Sequence, residues 1–444
     1  MTMNATRRRM HGRLARLPGL QIVRRPVSPG SDEQFDLYYV RDGRKSAHPV
    51  VIIPGGPGMA SVLAYRGFRQ RAVAAGLDVI MIEHRGIGLS RLNDAGENLP
   101  PEALTVEQVV DDIAAVLDDA RVESATIFGS SYGTYIAAGV GVRHPHRVKA
   151  MILDSPLLSR HDVEIVRDTL RRVLLKGDRA DTVTLAPKMR RLVDRGIMTP
   201  TAGQLAATVY GYGGAELLER QLDLLLTGRK MLWRTLSRVG KIVTRKVPYS
   251  YEVDLVGRIA FRELDYGAEP DGLPLDPAVA YRETFDTTET FVAEPYDLVA
   301  EMPKFDWPTV VIAGGRDLVT PPAVAERIAT LLPHAVLVNM PTMAHAALDF
   351  REPAALAIAK SVCDGEIDSL ALRALELDDI PPPLPLRLLW RAVDLAARAE
   401  LAVPRLPRLR QPRSPQAPPA TESVPHEADG RVVVVGEAAR AKVG

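Results

Sequence analysis

The sequence predicts an α/β fold: a mostly parallel sheet with helices on both faces and an inserted helical cap. Three observations carry this. Short apolar, β-branched runs alternate with amphipathic helical stretches before residue 155, and strand-like runs return after residue 303. Several of these runs end in a polar, glycine-bearing loop. Between the two stretches, residues 156–302 lose the alternation and read as charged, largely helical sequence, with periodic runs at 163–175, 215–226 and 253–264. The expected organisation is therefore a first core part at 1–155, a helical cap at 156–302 and a second core part at 303–365. A C-terminal helical extension at 366–403 and a disordered, proline- and arginine-rich tail at 404–444 follow.

In chain order, residues 35–40 and 49–53 are strand-like, separated by the turn residues Arg41-Asp42-Gly43-Arg44. The second strand runs into Pro54-Gly55-Gly56-Pro57-Gly58-Met59. That loop is too rich in glycine and proline for helix or strand. By itself it reads first as a tight turn, although such a loop also lets backbone amides approach a ligand. Residues 78–82 form another buried strand, followed by Glu83-His84-Arg85-Gly86-Ile87-Gly88-Leu89-Ser90. Its glycine spacing is incomplete as a dinucleotide fingerprint, and no P-loop lysine follows, so phosphate binding is not expected there. Thr105 and Gln108 make a capping box that opens a helix over 106–117.

The densest signal is Phe128-Gly129-Ser130-Ser131-Tyr132-Gly133-Thr134, between a strand at 124–128 and a helix-like run. A strand that reverses directly into a helix needs glycines where Cβ atoms would clash, and it exposes the apical residue, Ser131, on a strained turn. The first helical N–H groups then point at whatever lies above that serine. Further strands at 148–153, 309–313 and 335–338 follow, and the last two lead into loops carrying Asp317 and His345. Taken singly, Asp317 could be a helix N-cap and His345 a surface histidine. Together with Ser131 they stand in the chain order Ser, Asp, His, which suits nucleophilic catalysis on a sheet of this type.

Composition narrows the setting. A chain of 444 residues exceeds one ordinary core, and a formal net charge of +1 gives no electrostatic reason to expect nucleic acid as a partner. Cys363 is the single cysteine, so an internal disulfide is excluded, and no Cys/His cluster has metal-ligand spacing. Neither a metal nor an organic cofactor is expected. Arg7-Arg8-Arg9 reads as a solvated arm ahead of a nucleic-acid or lipid patch. No run reaches membrane-spanning length, and a cytoplasmic location is expected. The amphipathic, arginine-bearing stretch at 386–403 is expected to pack on the main domain, with membrane-surface binding as the alternative. Residues 431–436 could form an edge strand.

These residues resemble the α/β-hydrolase superfamily, and within it the proline iminopeptidase family of serine aminopeptidases. The resemblance rests on Gly55-Gly56-Pro57-Gly58, Arg85-Gly86-Ile87-Gly88-Leu89-Ser90, the Ser131 elbow and the contexts of Asp317 and His345, and covers roughly residues 35–365. It implies the α/β-hydrolase fold, with Ser131 as nucleophile, His345 as general base and Asp317 as the residue that orients it. It also implies an oxyanion hole from the N–H groups of Gly56 and Tyr132. Family members bind the substrate's free α-amino group with acidic cap residues, which makes Glu263 the first candidate here and Glu294 the second. The family loop usually begins with histidine where this chain has Pro54, and the later one with Asp-Gln where it has Glu83-His84. Both departures touch loops framing the pocket. The activity implied is release of N-terminal residues from short peptides through an acyl-enzyme. The alternatives are an ester or lipid-acyl hydrolase using the same triad and a non-catalytic, hydrolase-like scaffold.

Overall fold

The computed structural model describes residues 5–243, 246–285 and 287–403. Eight strands form one sheet: β1 (Leu20–Pro26), β2 (Gln34–Asp42), β3 (Val50–Ile53), β4 (Val79–Ile82), β5 (Ala125–Ser130), β6 (Val148–Asp154), β7 (Thr309–Gly314) and β8 (Ala335–Met340). Their spatial order is β1-β2-β4-β3-β5-β6-β7-β8. The first two pairings, β1 with β2 and β2 with β4, are antiparallel, and the remaining five are parallel. β3, β5 and β7 are buried along their whole length, as strands covered on both faces must be. The period of two divides their side chains cleanly. Val51, Ile53, Ile127 and Val311 enter one core with the helices Val106–Asp119 and Tyr132–Arg143. Val50, Ile52, Phe128 and Val310 enter another with Phe68, Ile358 and Val362.

The expected strands form close to their predicted bounds. β1 was not anticipated. Its sequence, Leu-Gln-Ile-Val-Arg-Arg-Pro, is mostly solvent-accessible and occupies the sheet edge, where charge and proline are tolerated because one side needs no partner. Thr105 Oγ1 accepts the Gln108 N–H at 3.3 Å, so the predicted cap opens its helix.

The stretch between β6 and β7 is helical, including Asp162–Arg171, Ala215–Leu226 and Val253–Arg262. A third apolar cluster, around Leu170, Leu185, Leu218 and Leu222, belongs largely to this stretch. The C-terminal helix Leu384–Ala402 buries Val393 and Ala397 in that same cluster, and Asp394 pairs with Arg220 at 2.7 Å. It therefore packs on the inserted helices rather than on a layer of the sheet. The Arg7-Arg8-Arg9 expectation also needs correction. Arg8 and Arg9 are exposed, but Arg7 pairs at 2.8 Å with the fully buried carboxylate of Glu252. No described helix is long and apolar enough to cross a membrane. The tail at 404–444, including the candidate strand at 431–436, lies outside the described residues.

Candidate active site

Ser131 sits between β5 and the helix Tyr132–Arg143 with φ 52° and ψ −122°, a left-handed backbone that is costly for a residue bearing a Cβ. Two glycines make the turn possible. A Cβ on Gly129 would lie 2.2 Å from the Gly133 carbonyl oxygen, and one on Gly133 would lie 2.2 Å from that of Ile53, at the end of β3. The second contact matters for the site, because β3 leads into the 54–59 loop. Only with glycine at 133 can that loop lie against the elbow. Gly55 is close enough that an added Cβ would be 3.2 Å from that of Ser131. Tyr132 is the first residue of its helix, so its N–H has no acceptor four residues back. Neither it nor the Gly56 N–H is hydrogen-bonded among the described residues.

Asp317 and His345 come from the loops after β7 and β8. His345 Nε2 is 2.9 Å from Ser131 Oγ, and its Nδ1 is 2.8 Å from Asp317 Oδ2. A carboxylate can only accept, which assigns the proton of the neutral ring to Nδ1 and leaves Nε2 as acceptor for the serine hydroxyl. Thr320 Oγ1 donates to Asp317 Oδ2 at 2.9 Å, and the Val319 and Thr320 N–H groups donate to Oδ1 at 2.8 and 2.9 Å. Burial pushes the Asp317 pKa up, but the charge and hydrogen bond of His345 and these amides outweigh it, leaving the carboxyl below its usual value. For His345, burial lowers the pKa, but Asp317, joined by the charges of Asp154 and Asp349, raises it by more, so the ring is more basic than an ordinary histidine.

The His345 turn is braced from the end of β6. Buried Asp154 accepts the Ala347 and Leu348 N–H groups, each at 2.9 Å, and the Ser130 hydroxyl at 2.7 Å. Ser155 Oγ accepts the Ala346 N–H at 2.9 Å, and the Tyr212 hydroxyl donates to the His345 carbonyl at 3.0 Å. On the other side, fully buried Glu83 accepts the N–H groups of Ser61 (2.7 Å), Val62 (2.9 Å) and Leu89 (3.3 Å), tying the segment after the glycine loop to the loop after β4. None of these bracing residues was singled out for such a role from sequence, because each acts through a partner distant in the chain.

Ser131 and His345 open onto a cavity of about 890 Å³. Its wall is mainly apolar, including Tyr135, Val163, Val166, Phe261, Tyr281 and Phe285, and it also contains Asp162, Asp265 and Asp349. Glu263 and Glu294 do not line it. Glu263 instead accepts the Val106 N–H at 2.9 Å, at the start of the helix Val106–Asp119, and Glu294 accepts the Arg160 N–H at 3.0 Å. Burial raises both carboxyls to about 7.

Asp162 is the carboxylate of this wall with an unmet hydrogen-bond demand. It is 6% exposed; Oδ2 accepts the N–H groups of Leu158 (2.7 Å) and Ser159 (3.1 Å), while buried Oδ1 has no donor among the described residues. Burial lifts its pKa to about 6 against the pull of those amides. Its sequence signal, Ser159-Arg160-His161-Asp162 before an apolar run, reads as a helix start rather than a binding group.

The order of the sheet, the strand–serine–helix turn and the loops beyond β7 and β8 define the α/β-hydrolase fold. The family model described as the alpha/beta hydrolase fold matches residues 48–208. In sequence, the chain is similar to a proline iminopeptidase of Neisseria meningitidis, 29% identical over 128 residues, which cover 29% of this chain and 39% of that protein. The alignment thus spans about two fifths of that relative. The rhodomycin D methylesterase DnrP of Streptomyces peucetius is 27% identical over 334 residues, 75% of this chain and 97% of its own. Among solved structures, the proline iminopeptidase of Mycobacterium smegmatis superposes with a TM-score of 0.44 at 18% identity, covering 84% of this chain and all of that one.

Proposed function

We propose that this protein is a serine hydrolase working through an acyl-enzyme, and that its substrates are short peptides or aminoacyl amides with a free N-terminal amine. The observation that carries the hydrolase reading is the unbroken hydrogen-bond chain from Ser131 through His345 to Asp317. In this reading His345 Nε2 takes the hydroxyl proton as Ser131 Oγ attacks the substrate carbonyl. The imidazolium that forms is stabilised by Asp317, whose ionised form is held in place by its four donors. The N–H groups of Tyr132 and Gly56 receive the developing oxyanion, and each such donor is worth about 2.7–4 kcal/mol of barrier in comparable sites. His345 then returns its proton to the leaving group, and a water molecule activated by the same nitrogen releases the acyl group.

The amine is assigned to Asp162 rather than to Glu263 or Glu294. A small rotation that turns Asp162 Oδ1 toward the cavity would let a substrate ammonium supply the donor this buried oxygen lacks, whereas the two glutamates, which do not line the cavity, are spent on backbone amides. Asp162→Asn should raise KM for a free-amine substrate by roughly 10–100-fold, the worth of a charged hydrogen bond, and leave Ser131 labelling by an amine-free fluorophosphonate unchanged.

Two features favour a second reading, hydrolysis of carboxylic esters: the mainly apolar cavity wall and the extended alignment with a methylesterase. One experiment separates the readings. Wild type and Ser131→Ala are labelled with a fluorophosphonate probe and assayed on alanine and proline arylamides, their N-acetylated forms, and short-chain esters. Ser131-dependent labelling with turnover of free-amine arylamides supports the peptidase. Turnover of esters alone, indifferent to acetylation, replaces it with the esterase. Well-folded wild type that neither labels nor turns over a substrate overturns the hydrolase and leaves a scaffold.

A further inference from the structure

A second cavity, of about 870 Å³, shares Phe350 with the first but is far richer in charged side chains. Its wall includes the helix Leu384–Ala402, the π-helical turn Val209–Gly213, and Arg316, the residue before Asp317. Six arginines line it. Arg220 and Arg398 are both engaged by Asp394, at 2.7 and 2.8 Å, and Arg220 also reaches Glu216 at 3.5 Å. Arg351 is held by the carbonyls of Asp378 and Ile380 and the Thr342 hydroxyl. The other three, Arg316, Arg387 and Arg391, have no side-chain hydrogen bond or ion pair among the described residues, although they line the same concavity. Asp181 is the one lining carboxylate left over, and it accepts from the Tyr210 hydroxyl at 3.3 Å.

Gathering guanidinium groups without matching acids is unfavourable unless something negative joins them. At Arg351, burial is the main cause that lowers the pKa, Asp378 works against it, and the like charge of Arg316 adds a smaller lowering. Beside the arginines, Tyr212 and Trp390 stack at 6.2 Å with 14° between planes, and the buried indole N–H of Trp390 has no acceptor among the described residues. The wall therefore offers donors in excess, and a π-helical turn, a feature that recurs at functional sites, forms part of it.

We infer that this cavity binds a small anion carrying two closely spaced phosphates, held by Arg316, Arg387 and Arg391. The planar fork of a guanidinium matches phosphate oxygens two at a time, and three unpaired forks call for more than the single charge of a carboxylate. Nothing in the proposed hydrolysis uses these groups.

The test is calorimetric titration of inorganic pyrophosphate into the full-length protein, at ionic strength held constant with potassium chloride. Saturable binding at one site per chain is expected. In Arg387→Ala/Arg391→Ala it should weaken at least tenfold, while the unfolding midpoint and Ser131 labelling by the fluorophosphonate stay at wild-type values. Should the double variant fold poorly, Arg391→Ala alone, at an exposed helix position, should still weaken binding severalfold. Absence of saturable binding to folded wild type, or equal affinity in the folded variants, overturns the assignment.

Discussion

Glu83→Gln tests whether a buried carboxyl with no ion-pair partner among the described residues clamps the two loops that frame the site. Glu83 is fully buried, and its acceptor bonds are to the Ser61, Val62 and Leu89 amides. Burial raises its pKa from 4.5 to about 7 against the pull of those amides, with the nearby Glu252 adding to the rise. Because the folded pKa exceeds the unfolded one, the folded state binds the extra proton more tightly. The resulting stability is fully present below pH 4.5 and is lost as pH rises through about 7. A shift of that size corresponds to about 3 kcal/mol, at 1.36 kcal/mol per unit. Glutamine keeps the shape but cannot titrate. Urea unfolding of wild type and Glu83→Gln between pH 4 and 9 should show the wild type losing about 3 kcal/mol relative to the variant, mostly between pH 4.5 and 7. A pH-independent difference, or one that grows in favour of wild type as pH rises, would refute the reasoning.

Two further outcomes follow from the elbow and from the proposed roles of Ser131, His345 and Asp317. Acylation needs the neutral imidazole, so the labelling rate should rise with pH through a midpoint above 6.5, and Asp317→Asn should move that midpoint down while slowing the reaction by orders of magnitude. Gly133→Ala would set a Cβ 2.2 Å from the Ile53 oxygen and 2.7 Å from that of Pro54. A loss of at least about 1–3 kcal/mol in urea unfolding and a marked drop in Ser131 labelling are expected; a variant with wild-type labelling would show that the glycine loop need not press on the elbow.

Much of the fold was legible because its strands are buried on both faces. Runs such as Val50–Ile53 and Thr309–Gly314 must be continuously apolar, and that composition is visible without coordinates. β1 escaped because an edge strand is under no such demand, and Leu-Gln-Ile-Val-Arg-Arg-Pro looks like a loop. The helical character of the segment between β6 and β7 was also readable, since amphipathic periodicity is local, but the faces these helices present to one another were not. Thus the helix Leu384–Ala402 packs on Ala215–Leu226 in a cluster that no pattern within either segment announces.

The candidate site divides along the same line. Ser131, Asp317 and His345 each follow a strand within a few residues, so local sequence and chain order brought them to notice. Their 2.9 and 2.8 Å contacts depend on β5, β7 and β8 ending at the same edge of the sheet, with only β6 between β5 and β7. The role of a carboxylate between β6 and β7 had no local determinant. Glu263 and Asp162 are both acidic residues at helix ends, and sequence favoured Glu263. Tertiary packing placed Glu263 on the Val106 amide and left Asp162 Oδ1 unpartnered in the cavity wall. By itself the sequence determined the buried strands, the strained serine turn and the order of the chemical groups, because these rest on sterics and periodicity within a few residues. Only the tertiary structure decided which charges are left unpaired, because burial and many of the partners, such as Val106 for Glu263 and Asp394 for Arg220, come from distant parts of the chain.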